Sequence, residues 1–178
     1  MRFIDWMHLD ESSLNDLYQS TVAAFPRTTK RQHAIDPVKI VELSWTPFVG
    51  VKTLFIKGTA ESGESGKVYQ PMVLFKQVRY HPEKEHQDWV EIVASDGLHY
   101  VLERLSYAEN DVLLRCDCAD FRWRFNYYDH LDRSLYGSKR RRYEAAGGPP
   151  ANPLEMPGMC KHLIKLVQSL DHAGLLEG

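Results

Sequence analysis

All three cysteines of this chain fall in two short pairs, Cys116-Asp117-Cys118 and Cys160-Lys161-His162, and a histidine completes the second pair. A Cys3His set suits a tetrahedral zinc ion. The chain is therefore expected to be clamped where the pairs meet, with one structural Zn2+ held by Cys116, Cys118, Cys160 and His162. Residues two apart lie on one side of an extended strand, so the first pair can chelate from a strand end. The second pair follows the turn residues Met156-Pro157-Gly158 and precedes Leu163, Leu166, Val167 and Leu170 at helical spacing. That places Cys160 and His162 at the mouth of a C-terminal helix, where free N–H groups and the helix dipole favour thiolate. Buried apolar thiols and a disulfide are the competing readings.

The 41 residues between the pairs, 119–159, set what the clamp must close. Phe121, Phe125, Tyr128, Leu131 and Leu135 recur at helical intervals behind Asp120, a good N-cap, and predict an amphipathic helix. Strict alternation over Phe121-Arg122-Trp123-Arg124-Phe125 is the competing strand pattern, and it fades after Tyr127. Between 121 and 143, seven Lys/Arg oppose two Asp, and seven aromatic residues are interleaved. Arg122, Trp123, Arg124, Tyr127, Lys139, Arg140, Arg141 and Arg142 are the candidate binding residues. Arginine with aromatics is the chemistry of phosphate contact and base stacking, and equally that of protein interface hot spots. The run Gly147-Gly148-Pro149-Pro150-Ala151-Asn152-Pro153 reads as an extended loop. Without the ion, little in a stretch so rich in Gly and Pro obliges the chain to return to Cys116.

The pattern Cys116-x-Cys118 … Cys160-x-His162, with Asp120-Phe121 after the first pair and Lys161 inside the second, resembles the SWIM-type (CxC…CxH) zinc-binding module. Its spacer is longer than that module usually carries. The stretches CDCADFRWRFNYY and PPANPLEMPGMCKHLIKL look similar to SWIM-like structural proteins of tailed bacteriophages. The resemblance covers roughly residues 112–170. It implies a zinc-stabilised module that contacts protein or DNA, and a structural role in a virion assembled in a reducing host cytoplasm.

The rest of the chain predicts one α+β domain of 178 residues, with an N-terminal helix and connector (1–37), a β-rich core (38–115) and the zinc-binding segment (116–178). Residues 11–24 form the expected helix, with Asp10 as cap, Pro26 as stop, and Leu14, Leu17, Tyr18 and Val22 on one face. Phe3, Trp6 and Leu9 ahead of it are apolar enough to dock. Six segments (38–45, 51–57, 68–80, 88–94, 98–105 and 111–116) read as strands, mostly joined by hairpins. They imply an antiparallel sheet of five or six strands. Thr46–Gly50 is the expected hairpin connection, Ser95-Asp96-Gly97 a tight turn, and Pro71 a strand start or edge.

Several functions are excluded or unsupported. Gly58–Lys67 lacks the glycine spacing and the Ser/Thr after lysine that a phosphate-binding loop needs, since Glu61 and Val68 stand there, so it reads as a loop. His81, Glu83, Glu85 and His86 read as an exposed turn, and His99 as an exposed strand residue, none of them a metal ligand. No paired carboxylates, nucleophile elbow or HExxH motif is present, and a shell closed by four protein ligands leaves no position for reactive water. The expectation is no enzyme and no small-molecule substrate. A net charge of −2 gives no global case for nucleic acid. No apolar run is long enough to span a bilayer. The expected partners are other protein subunits of a larger assembly. The alternative is nucleic acid bound by the basic aromatic spacer.

Overall fold

The computed structural model describes residues 12–25, 35–63, 66–140 and 152–177. Asp10, Pro26, Phe3, Trp6, Leu9, Arg141 and Arg142 lie outside the described residues.

The first helix, α1, spans Leu14–Ala24. Its cap is Ser13: the Asp16 amide donates to Ser13 Oγ at 3.2 Å, and the Ser13 amide donates to Asp16 Oδ2 at 3.0 Å. This reciprocal arrangement satisfies two of the free donors at a helix start. The helix buries Leu14, Leu17 and Thr21, whereas Val22 is 41% exposed. The inner face is thus the i, i+3, i+7 row, and a threonine takes the place expected of valine.

The main sheet has five antiparallel strands: β1 (Lys39–Phe48), β2 (Thr53–Glu61), β3 (Val68–Tyr69), β4 (Met72–Phe75) and β9 (Val112–Arg115). The order is β1-β2-β4-β9, with β3 also paired to β2. Leu54, Ile56 and Ala60 alternate inward along β2, and Val73, Phe75, Val112 and Leu114 continue that face. Pro71 breaks β3 from β4, and its carbonyl accepts the Gly58 amide at 2.9 Å. The β1–β2 connection is a short 3-10 turn at Val49–Val51, so Thr46–Phe48 belong to β1. Pro47 is tolerated there because β1 is an edge strand. Gly58–Glu61, read from sequence as the start of a loop, continue β2.

Residues expected to extend this sheet form smaller ones. Strands β5 (Tyr80–His81), β6 (Val90–Val93) and β7 (His99–Leu102) make a separate antiparallel sheet in the order β5-β7-β6. In the turn between β6 and β7, the Leu98 amide donates to Asp96 Oδ1 at 2.9 Å. Strand β8 (Leu105–Ser106) pairs in parallel with β10 (Leu176–Glu177), near the end of the chain. The segment 68–80 is not one strand, because Pro71 and the left-handed Gln77 interrupt it.

The spacer helix also departs from expectation. Phe121–Phe125 is a π-helical turn in which the Asn126 amide donates to the Phe121 carbonyl, followed by α2 (Asn126–Asp132). The wider turn shifts the inward face to Phe121, Arg124, Phe125, Asn126 and Asp129. Leu131 is therefore 60% exposed. Arg133, with φ 66°, ends the helix, and Leu135 reaches the core beyond it, bridging to Leu114.

The C-terminal helix, α3 (Lys161–His172), buries His162, Leu163, Leu166, Val167 and Leu170. It lies on the main sheet at Gly58, where a Cβ would stand 2.9 Å from Leu166 Cδ1. A side chain there would press on Leu166, so Gly58 suits this close approach of helix and strand. One contiguous core joins α1, the main sheet, Phe121, Phe125, α3 and the three cysteines.

Candidate metal centre

The two half-sites meet as their spacing foretells. One donor atom from each of Cys116, Cys118, Cys160 and His162 lies within 4.8 Å of all the others, and all four residues are buried. His162 Nδ1 is 3.9 Å from both Cys116 Sγ and Cys160 Sγ. A tetrahedron with metal–sulfur bonds of roughly 2.3 Å has edges a little under 4 Å. The donors therefore fit, and the group can hold one metal ion. Among the described residues it is the grouping competent for this. The His81 ring instead stacks on Trp89, with centroids 3.6 Å apart, and exposed His99 meets Glu91 at 3.0 Å.

The local structure carrying the first pair differs from the expected strand end. Strand β9 stops at Arg115, so Cys116 and Cys118 flank the turn from strand into helix. Cys118 opens the π-helical stretch: its Sγ accepts the Phe121 amide at 3.3 Å and its carbonyl accepts the Arg122 amide at 3.1 Å. Asp120 does not cap this helix. Cys160 is the N-cap of α3, with extended φ and ψ of −73° and 169°. Both half-sites thus stand at helix N-termini, where the dipole and free amides favour negative sulfur. Asp117, between the first two ligands, accepts the Gln70 amide at 2.8 Å and ties this turn to the link between β3 and β4.

Electrostatics divide the thiols. Burial pushes the Cys116 and Cys160 thiols well above the usual range. Hydrogen bonds from Cys116 and Cys160 hold Cys118 far below it. Three sulfurs crowded in one buried pocket oppose one another's ionisation, because each further anion there faces repulsion that no water screens. A bound dication removes that limit and lets all three ionise.

The segment returning to Cys160 is held by more than its ligands. Asn152 Nδ2 donates to the carbonyls of Arg124 at 3.0 Å and Met156 at 2.7 Å. Ser20 Oγ donates to the Pro157 carbonyl at 2.7 Å, and the Met159 amide donates to Thr21 Oγ1 at 2.9 Å. The Gly158 amide donates to Asp129 Oδ1 at 2.7 Å. A Cβ on Gly158 would stand 2.4 Å from Thr21 Oγ1 and 2.6 Å from Phe125 Cε1. The expectation that little besides the ion brings this segment back is therefore corrected. Buried Asn152 and Asp129, invisible as site residues in the sequence, do part of the work.

The candidate binding residues separate. Trp123 is 45% exposed and Arg122 sits over its ring at 5.9 Å. Tyr127 is half-buried, while Lys139 and Arg140 are exposed. Arg115 Nη1 donates to the carbonyls of Tyr136 at 3.1 Å and Ser138 at 2.8 Å, and the Arg140 amide donates to Asn126 Oδ1 at 2.8 Å. These bonds fix the strip carrying Lys139 and Arg140 beside α2. Arg124 is the correction: it is 3% exposed. It pairs with Asp120, and its guanidinium lies 4.5 Å from the Phe25 ring centroid and 5.1 Å from that of Phe125. The π-turn rotates it inward, so its side chain packs within the core and not on the exposed face.

No helix among the described residues is long and apolar enough to cross a membrane. Comparison with protein-family models, with curated proteins and with solved structures finds no match.

Proposed function

We propose that the Cys3His group holds one structural zinc ion and that the protein is an assembly component acting through protein–protein contacts. The observation that carries this reading is the closure of the donor set. Four buried protein donors converge on one point, a shell that leaves no coordination position for substrate or water. The reading of the ion as zinc follows from three thiolates and an imidazole, the softness and geometry zinc prefers. Within this proposal the ion supplies stability and shape. The ligand turn and α3 fix the π-turn and α2, and these present Arg122 and Trp123 outward, with the Lys139–Arg140 strip alongside. Exposed tryptophan with arginine is the composition of interface hot spots. The resemblance to SWIM-like virion proteins supports placing the assembly in a tailed-phage particle. Mass spectrometry of purified particles tests this: recovery of the chain in fixed ratio to known structural subunits supports it, and its absence from particles opposes it.

The second reading, nucleic-acid binding, is favoured by the exposed Lys139 and Arg140, held beside α2 by the bond from the Arg140 amide to Asn126. A salt series separates the two. Phosphate contacts give an affinity that falls steeply with salt, and duplex or single-stranded probes that bind without such a slope, or not at all, oppose it.

A further inference from the structure

All four donors of the Cys3His group are buried, so an ion enters or leaves only where their cover gives way. On the flank of His162 the cover is Tyr69, whose ring packs against the imidazole. Tyr69 is itself half-buried, and its neighbour Val68 is exposed. His162 Nε2 has no hydrogen-bond partner, so the outer side of this ligand is held by packing. Whatever seats Tyr69 therefore acts on the metal site.

Tyr69 belongs to β3, a strand of two residues paired to β2 at Ala60 and Glu61. The inner edge of this strap is tied at both ends: the Ser62 amide donates to the Lys67 carbonyl and the Gly58 amide to the Pro71 carbonyl, each at 2.9 Å. Successive N–H groups of an extended strand point to opposite edges, so the Gln70 amide points away from β2. There Asp117 Oδ1 accepts it at 2.8 Å. Among the described residues, this is the one hydrogen bond on the outer edge of Val68–Gln70. Asp117 is exposed and stands between the ligands Cys116 and Cys118, so the ligand turn carries its own clasp on the strap.

We propose that Asp117 is a positioning residue of the metal centre: by clasping the Gln70 amide it keeps Tyr69 seated on His162, and opening of this clasp lets a divalent cation in or out. The proposal rests on the reading of the Cys3His group as a zinc centre. A single exposed hydrogen bond is weak enough to open while the sheet stays formed, so the strap lifts as a local event and not by unfolding. Asp117 acts here through an acceptor oxygen and through Tyr69. Its negative charge beside the site is a separate effect, and the two are separable by substitution.

The test follows zinc leaving the full-length chain. Protein loaded with Zn2+ under reducing conditions is mixed with excess chelating dye, and the release rate is read by absorbance. Asp117→Ala is expected to release zinc about tenfold faster, the lower end of what outer contacts contribute to metal retention, with unchanged far-ultraviolet circular dichroism. Asp117→Asn loses the charge but keeps an oxygen for Gln70, and is expected to release near the wild-type rate. Tyr69→Ala already lacks the cover, so adding D117A to it is expected to change the rate no further. Should D117A not fold, Asp117→Ser, whose hydroxyl ends one bond short of the clasping oxygen, takes its place with the same expectation. A D117A rate equal to that of the wild type overturns the proposal and leaves the zinc reading standing. Release through the groove of about 230 Å³ beside Cys160, lined by Tyr18, Phe25 and Lys161, would give that result. Equal acceleration in D117A and D117N overturns it too, since charge and not the clasp is then at work. A wild type that holds no zinc after loading overturns both.

Discussion

The ring of Tyr69 lies 4.6 Å from the ring of His162, tilted 39° to it. A residue of β3, the shortest strand of the main sheet, thus roofs a ligand carried by α3. His162 turns Nδ1 to the sulfurs, and its Nε2 is buried without a hydrogen-bond partner. Packing by Tyr69 therefore does the orienting that a hydrogen bond to the outer nitrogen does in many metal sites. Tyr69→Ala is expected to weaken metal retention roughly tenfold, the lower end of what outer contacts contribute, and to leave the fold intact. Competition with a chelator, read beside far-ultraviolet circular dichroism, checks this. Unchanged retention shows that the ring is mere cover.

Gly158 is where α1, the π-turn and the second half-site crowd together. Gly158→Ala must displace Thr21 or Phe125, since the new carbon falls 2.4 and 2.6 Å from their atoms. Overpacking of this kind costs about 1–3 kcal/mol. Denaturant unfolding with an unchanged slope and a lower midpoint is the expected result.

Arg124 and Arg140 look alike in the sequence and differ in the fold. Arg124→Ala removes the guanidinium paired with half-buried Asp120 and strips a cation from the Phe25 and Phe125 rings. Breaking a fully buried pair costs about 3–5 kcal/mol; with Asp120 half-buried the cost is smaller, and this variant is still expected to melt below the wild type. Arg140→Ala, at an exposed position, is expected to melt with the wild type and to lose partner binding if the strip is the contact surface. Equal melting of the two variants contradicts the assigned roles.

How much of this was legible differs from element to element. The meeting of Cys116, Cys118, Cys160 and His162 was written in their pairing, because so few arrangements bring two x-spaced pairs together except around an ion. The α3 face was legible from Leu163, Leu166, Val167 and Leu170, whose 3.6-residue period survives unbroken. The π-turn was not. One inserted residue of helical rise moves Arg124 inward and Leu131 outward, and no local propensity marks it. Nor were the separate small sheets: β5 and β10 are two residues each, too short for alternation to register. The return of residues 152–160 rests on Asn152, Asp129, Ser20 and Thr21, whose partners are distant in sequence and leave no periodic trace.

The sequence divides a β-rich core (38–115) from a zinc-binding segment (116–178), as though the second were added to the first. The contiguous core, with Leu166 against Gly58 and the cysteines among the core residues, changes what His162→Ala should do. Loss of this ligand opens the shell and loosens α3, and α3 covers the main sheet. Faster amide exchange is therefore expected in Cys116–Asp132 and α3, and also in β1 and β2 beneath it. The separate sheet of β5, β6 and β7 is expected to keep its protection. Exchange confined to the ligand-bearing segments means that α3 lies on the sheet without supporting it.

The most direct test of the account is metal stoichiometry combined with thiol accessibility on the folded full-length protein. Purified under reducing conditions, the chain is expected to carry one zinc per molecule. Its three thiols should resist a thiol reagent until a strong chelator is added, whereupon metal and thiols are released together. Far less than one equivalent of metal, with Cys116, Cys118 and Cys160 all reacting while the protein remains folded, contradicts it.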